Sequence, residues 1–300
     1  MRFIDLAQKG TNKAGSYLLT IGLVVLAYIV SSFFILLDLK ANFGFSILQI
    51  SSEAEIVRIM GKNRFFFWIL LPFLFAALAL VFGANKVHER PVLTLFTARK
   101  TFDWKRFFFA FSLYGAIVIA VVLLQITGNP NMHWQFDPNK FLPLLIISLV
   151  FIPIQVACEE LVFRSYLMQG LKNRTGKNLL SVLLSGTMFG LMHLGNPEIT
   201  QLGYGVIVYY ILSGIFLNFV AFADDGIELS LGYHVANNLL SALLLTTKWQ
   251  AFQTDALFLD TSLPSFSLEI FFMPIVVFPF LLFVFSKKYN WPSFKQLFHL

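Results

Sequence analysis

Cys158-Glu159-Glu160-Leu161-Val162-Phe163-Arg164 sets two adjacent carboxylates and a guanidinium inside an apolar run, 142–171, that is long enough to cross a bilayer. A charge at mid-membrane costs at least about 2.5–3.5 kcal/mol on insertion scales. Three ionisable groups so close together therefore need partners, a function, or both. Whether the partners exist decides how the chain is read.

The surrounding composition fixes the class. Of 300 residues, 57% are hydrophobic and 13% charged, and 36 are Phe; a soluble domain carries about 25% charged residues. The apolar residues fall in blocks of about 20, the length that crosses a hydrocarbon core of about 30 Å. The expected fold is all-α and polytopic, with about eight membrane helices at 17–37, 65–82, 107–126, 142–171, 179–194, 205–223, 229–245 and 268–285. Helices are required because unpaired backbone groups are too costly in lipid. The first block is too long for a signal-peptide core and is followed by Asp38 and Lys40, so it reads as an uncleaved span. Between spans one and two, 42–60 suits a short interfacial helix, and so does 89–106, with Trp104 beside Arg99, Lys100, Lys105 and Arg106.

With the N-terminus inside, the inward segments hold 16 of the 22 Lys and Arg and the outward segments hold 6. The positive-inside rule then puts both termini in the cytoplasm of a cell-membrane protein. The net charge of +6 is accounted for by these loops, so the sequence gives no footprint for nucleic acid. The lone Cys158 excludes an intramolecular disulfide framework. Three regions are expected: N-terminal helices over 1–141, a core over 142–246, and a loop, last helix and tail over 247–300.

Partners for the carboxylates lie on neighbouring spans. Glu160 and Arg164 are spaced i,i+4 with the acid first, the favourable order on a helix, whereas Glu159 points about 140° away from Arg164. Glu159 is thus the freer carboxylate. The turn at 172–178 sends the chain back, and His193 returns to the depth of Glu159, about 20 Å along each helix. Phe189 and His193 share a face. His234 and Asn238 are also four apart, two donors aimed at one point, with Asn237 turned aside. Measured from the 224–228 loop, His234 is only about 9 Å deep and Asn238 about 15 Å. That mismatch shrinks if the end of span four projects beyond the membrane, which its extra length permits. The plain alternatives are helix glue for the polar residues of span seven and a small buried side chain for Cys158. His88, His133 and His299 are expected in solvated segments, as are Asp224, Asp225 and Glu228 in a loop without Lys or Arg.

Taken together, Glu159-Glu160-x-x-x-Arg164, Phe189-x-x-x-His193 and His234-x-x-x-Asn238 resemble the three motifs of the CAAX protease and bacteriocin-processing family (CPBP, with abortive-infection-like members and the type II CAAX prenyl endopeptidases). The resemblance covers about 142–245, with Ser165 where many members have Gly. It implies an intramembrane endopeptidase acting on a peptide or membrane-protein substrate. The residues matching Glu159 and His193 would activate a water, those matching His234 and Asn238 would hold the oxyanion, and Glu160 with Arg164 would support them. No cofactor is favoured. Zinc is the alternative, with Glu159, His193 and His234 as three ligands and water as the fourth. A non-catalytic scaffold or immunity protein and a proton-coupled transporter are the other classes open to such a chain.

Overall fold

The computed structural model describes residues 1–44 and 52–298. After a 3-10 turn at Phe3–Lys9 come α1 (Ala14–Ser32), α2 (Phe34–Phe43), α3 (Glu53–Met60), α4 (Lys62–Phe82), α5 (Trp104–Gly128), α6 (Pro138–Glu160), α7 (Met168–Thr175), α8 (Asn178–Leu191), α9 (Pro197–Leu202), α10 (Val206–Ala223), α11 (Glu228–Leu244), α12 (Phe278–Tyr289) and α13 (Phe294–Phe298). Among the described residues, six helical stretches are long and apolar enough to cross a membrane: Ala14–Phe43, Lys62–Val87, Trp104–Gly128, Pro138–Thr175, Asn178–Gly195 and Val206–Ala223. The chain is a mostly all-α, multi-pass membrane protein.

Two of the eight expected spans take a different form. The seventh, α11, has 17 residues, and residues 228–236 are all buried. It is a core helix, packed against α5, α6 and α10, which is why Ser230, His234, Asn237 and Asn238 are tolerated in it. The eighth breaks into a 3-10 turn at Leu268–Phe271, a π turn at Met273–Val277 and α12. Ile275 and Phe283 on it remain exposed as a lipid-facing surface.

Local sequence explains the ends. Asp103 caps α5 by accepting from the backbone N–H groups of Lys105 and Arg106, Asp137 caps α6 with Pro138 as its first residue, and Gly176, left-handed at φ 70°, ends α7. Between α6 and α7 the helix is continuous but widens to π geometry over Leu161–Leu167. Span four is therefore one rod of 38 residues.

The connecting segments gather on two faces. On one, Arg2 binds the Asp225 carboxylate at 2.8 Å and the Phe222 carbonyl, Thr97 bridges to Gly226, and Asn178 donates to the Leu297 carbonyl. On the other, Lys62 reaches the Thr254 carbonyl, Asn63 donates to the Lys140 carbonyl, and Glu198 accepts from the Ala251 N–H. A three-stranded sheet also forms there, in the order β1 (Met132–Trp134), β3 (Phe258–Asp260), β2 (Leu245–Thr247), with β1–β3 antiparallel and β2–β3 parallel. No sheet was expected, because each strand is three residues long and shows no periodicity.

Several expected solvated residues are buried. His88 is 1% exposed, with Nδ1 at 2.6 Å from the Thr11 carbonyl and Nε2 at 2.7 Å from the Tyr166 hydroxyl. Asp224 and Glu228 are also buried. Asp224 meets Arg99 at 3.1 Å, Trp291 Nε1 at 2.8 Å and the Arg106 guanidinium, and Glu228 meets Arg99 at 3.1 Å. Only Asp225 stays partly open, while His133 is exposed on β1 and His299 lies outside the described residues. The acids lack bases nearby in sequence and take them from across the face. Burial pushes Asp224 up to about 6, against the opposing pull of Trp291, Arg106 and Arg99.

The two expected interfacial segments also divide. Over 42–60, α3 forms, capped by Ser52 and packed through Ile56, Val57 and Met60 on Phe65 and Leu39; residues 45–51 lie outside the described residues. Over 89–106 there is no interfacial helix before α5. A strap anchored by buried Arg90, Thr94, Leu95 and Thr97 runs through a 3-10 turn at Val92–Leu95, with Arg90 bound to Thr94 and Gln169.

Candidate active site

The end of α6 faces α11, and the two helices pair one turn at a time. Glu160 and Arg164 form an ion pair at 3.2 Å with both side chains fully buried. Glu160 Oε1 also lies 2.8 Å from His234 Nδ1. Glu159, whose side chain keeps 16% exposure, approaches the other imidazole nitrogen, Nε2, at 3.5 Å. His234 is thus bracketed by the two carboxylates. An ionised carboxylate only accepts, so Nδ1 carries a proton toward Glu160 and Nε2 is directed at Glu159. The depth mismatch between α11 and span four disappears because the long rod runs on past the site.

Among the described residues, the Arg164 guanidinium nitrogens have no well-angled hydrogen bond. Its compensation comes from the carboxylate and from Phe189, whose ring centroid lies 3.9 Å from the guanidinium carbon. Phe189 is the hub of the site, with its ring 4.8 Å from His193, 5.8 Å from His234 and 5.4 Å from Phe163.

His193 sits in the 3-10 turn Met192–Gly195 that closes α8. Its Nδ1 lies 3.0 Å from the Phe189 carbonyl, which accepts, so the proton is on Nδ1 and the Nε2 lone pair is free for chemistry. Tyr210 stacks on the ring at 4.3 Å and 19°. His193 is within electrostatic range of Glu159 and His234, but among the described residues no hydrogen bond joins it to either. α8 is held there by close packing on α10. A Cβ at Gly190 would stand 2.5 Å from Ile211 Cα, and one at Gly186 2.7 Å from Ile215 Cα.

Asn238 lies one turn beyond His234, but the two do not converge on one point in this state. Asn238 Nδ2 donates to Gln155 Oε1 at 3.0 Å, and its Oδ1 accepts from Asn237 at 3.0 Å. Gln155 lies one turn before Glu159 on α6. Cys158 is buried at 4% exposure and makes no part of this constellation.

The donor set does not fit a bound zinc. Among the described residues, no three or more His, Cys, Asp or Glu side chains are disposed around one point. His234 has both nitrogens directed at carboxylates, and Asn238 is turned to another amide.

Sequence reasoning missed Gln155, Tyr210, Tyr114 and the two glycines. Gln155-x-x-x-Glu159 shows the same i,i+4 spacing that singled out His234 and Asn238, and Gly186-x-x-x-Gly190 is a small-residue packing motif. The tyrosines gave no local signal.

Comparison with known proteins adds the family. The model of the type II CAAX prenyl endopeptidase Rce1-like family matches residues 138–240, which contain Gln155, Glu159, Glu160, Arg164, His193, His234 and Asn238 but not Tyr114. The chain is also similar to the uncharacterized protein YyaK of Bacillus subtilis (strain 168), 31% identical over 178 residues, or 59% of this chain and 60% of YyaK. An uncharacterized protein of Mycoplasma capricolum subsp. capricolum (strain California kid) is 26% identical over 148 residues, or 46% of this chain and 40% of the relative. The chain thus spans less than two thirds of either relative. No solved structure matches it.

Proposed function

We propose that the protein is an intramembrane endopeptidase of CAAX type that hydrolyses a peptide bond with a water activated by Glu159. The observation that carries the reading is the bracketing of His234 by Glu159 and Glu160, with Asn238 one turn on, inside the Rce1-like segment.

The water oxygen attacks the scissile carbonyl carbon while Glu159 takes its proton. The His193 Nε2 lone pair, fixed by the Nδ1–H bond to Phe189, orients that water. The tetrahedral oxyanion accepts from Nε2–H of a His234 protonated on both nitrogens, which leaves Glu159 for it, and from the second Nδ2 hydrogen of Asn238, whose first stays on Gln155. The C–N bond then breaks, the proton passes to the amine, and a carboxyl and an amine leave. Glu160 and Arg164 do not touch the substrate; Glu160 holds His234 through Nδ1, and Arg164 neutralises Glu160. Metal takes no part in this scheme. The face bearing the N-terminus, the 224–228 loop and α13 is the cytoplasmic one, and the membrane is the cell membrane, by the distribution of Lys and Arg.

Purified protein in bilayer nanodiscs, given an isoprenylated peptide ending in Cys-a-a-X and its unprenylated counterpart, tests the reading. Cleavage of either peptide should persist in excess chelator. It should fall at least about 100-fold in Glu159→Ala and about 100- to 1,000-fold in Asn238→Ala. Undiminished cleavage in Glu159→Ala sinks the assignment. Loss in chelator that is restored by zinc replaces the metal-free scheme. Rescue of a cellular phenotype by Glu159→Gln argues for a scaffold.

A further inference from the structure

Four side chains from three helices make one directional chain beside Glu159. The Tyr114 hydroxyl on α5 donates to Asn237 Oδ1 at 3.0 Å, Asn237 Nδ2 donates to Asn238 Oδ1 at 3.0 Å, and Asn238 Nδ2 donates to Gln155 Oε1 at 3.0 Å. Tyr114 and Gln155, the two ends, are 1% and 3% exposed. The Tyr114 ring is held against Tyr233, with centroids 3.9 Å apart.

We propose that Tyr114 and Gln155 are positioning residues that, through this chain, fix which end of the Asn238 amide faces the reacting carbonyl. The proposal rests on the protease reading of the site. A carboxamide turned by 180° keeps its shape and exchanges donor for acceptor, so only its hydrogen bonds decide its orientation. In the observed direction every amide oxygen of the chain is consumed: Asn237 by Tyr114, Asn238 by Asn237, and Gln155 by Asn238. What remains to meet a substrate is N–H, the second hydrogen of Asn238 Nδ2 and the Gln155 Nε2 group. Run the other way, the chain would present a carbonyl oxygen to a developing oxyanion, which repels it. Both ends therefore matter: the hydroxyl starts the donation and the glutamine oxygen terminates it. A low-dielectric surrounding strengthens such a chain along its length.

The pairing also sets place as well as direction. On antiparallel α6 and α11, Gln155 faces Asn238 and, one turn along, Glu159 faces His234. The two proposed oxyanion donors and their two α6 partners thus form consecutive rungs, and Gln155 shares a helix face with Glu159.

The test uses full-length protein in nanodiscs and whichever of the two peptides the wild type cleaves. Tyr114→Phe and Gln155→Met, both close in shape, are each expected to lower kcat about tenfold with KM within about threefold, and thermal unfolding should move by only a few degrees. In an Asn238→Ala background the same changes should cost less than about twofold, because the group they orient is gone. Wild-type kcat in both single variants overturns the inference, and so does an undiminished loss in the Asn238→Ala background, which marks a merely structural role. Should Tyr114→Phe fail to fold, Gln155→Met carries the same test from the opposite end. A wild type that cleaves neither peptide overturns the protease reading itself, and the relay's catalytic role with it. A wild type that cleaves, with variants that match it, overturns the relay alone.

Discussion

Arg164→Met is the sharpest probe of how the site is held. The side chain it replaces is fully buried, 3.2 Å from an equally buried Glu160 and 3.9 Å above Phe189. Methionine keeps the apolar volume and a sulfur contact with the ring but leaves Glu160 without its counter-charge. Removing one partner of a buried pair costs about 3–5 kcal/mol, because the survivor is left charged and desolvated. His234 Nδ1, 2.8 Å away, remains as a donor but serves a carboxylate that now has no compensating cation. The double variant Arg164→Met/Glu160→Gln removes both charges, and the Gln carbonyl still accepts from Nδ1. It should return to within about 2 kcal/mol of wild type. Unfolding free energies of the wild type, Arg164→Met, Glu160→Gln and the double variant, measured by reversible denaturant titration in mixed micelles, complete the cycle. A single Arg164→Met variant within about 1 kcal/mol of wild type refutes the reasoning, as does a double variant no more stable than that single one.

Gly190→Ala should lower stability by about 1–3 kcal/mol, through overpacking against the Ile211 backbone. It should also reduce peptide cleavage, since Phe189 and His193 ride on that turn; equal thermal unfolding and turnover would contradict the contact. His88 is held below its ordinary value by burial, with Arg90 adding to the effect and the Thr11 carbonyl opposing it. An unfolded His88 therefore binds a proton more readily than the folded one, so stability is full above about pH 6.5 and is lost as pH falls through that value. Unfolding midpoints of the wild type between pH 7.5 and 5.5 should show that slope, and His88→Gln should flatten it, with Tyr17 and Tyr166 beside it uncharged throughout. Asp224→Ala frees Arg99 and Arg106 together with the Trp291 N–H. It should cost about 3 kcal/mol and expose 291–298 to protease before the bundle unfolds; unchanged proteolysis would show that the cluster does not hold that end.

The membrane class and the long spans were legible because about 20 apolar residues in a row permit little else. One partner of Glu160 was legible as well: i,i+4 spacing placed Arg164 beside it, whereas its contact with His234 on α11 was not expected. Contacts made across the fold were not. Tyr166 is 78 positions from His88, and Arg99 is 125 from Asp224, so neither burial leaves a trace in its own neighbourhood. The sheet joins three loops with three residues each. Asn238 was recognised by spacing, but its turn toward Gln155 depends on two amides and a phenol meeting from three helices.

The wide turn at Leu161–Leu167 behaves as one extra residue stored in an otherwise regular rod. It lets the membrane half of the rod set the faces of Glu159 and Glu160, while α7 sets its own angle against the N-terminal turn and α8. Deleting one residue within 161–167 offers the helix an ordinary turn in exchange. Deleting one within 145–157 rotates both glutamates by about 100° off α11. The rod therefore has one interval where its phase is negotiable, and it lies immediately after the carboxylates.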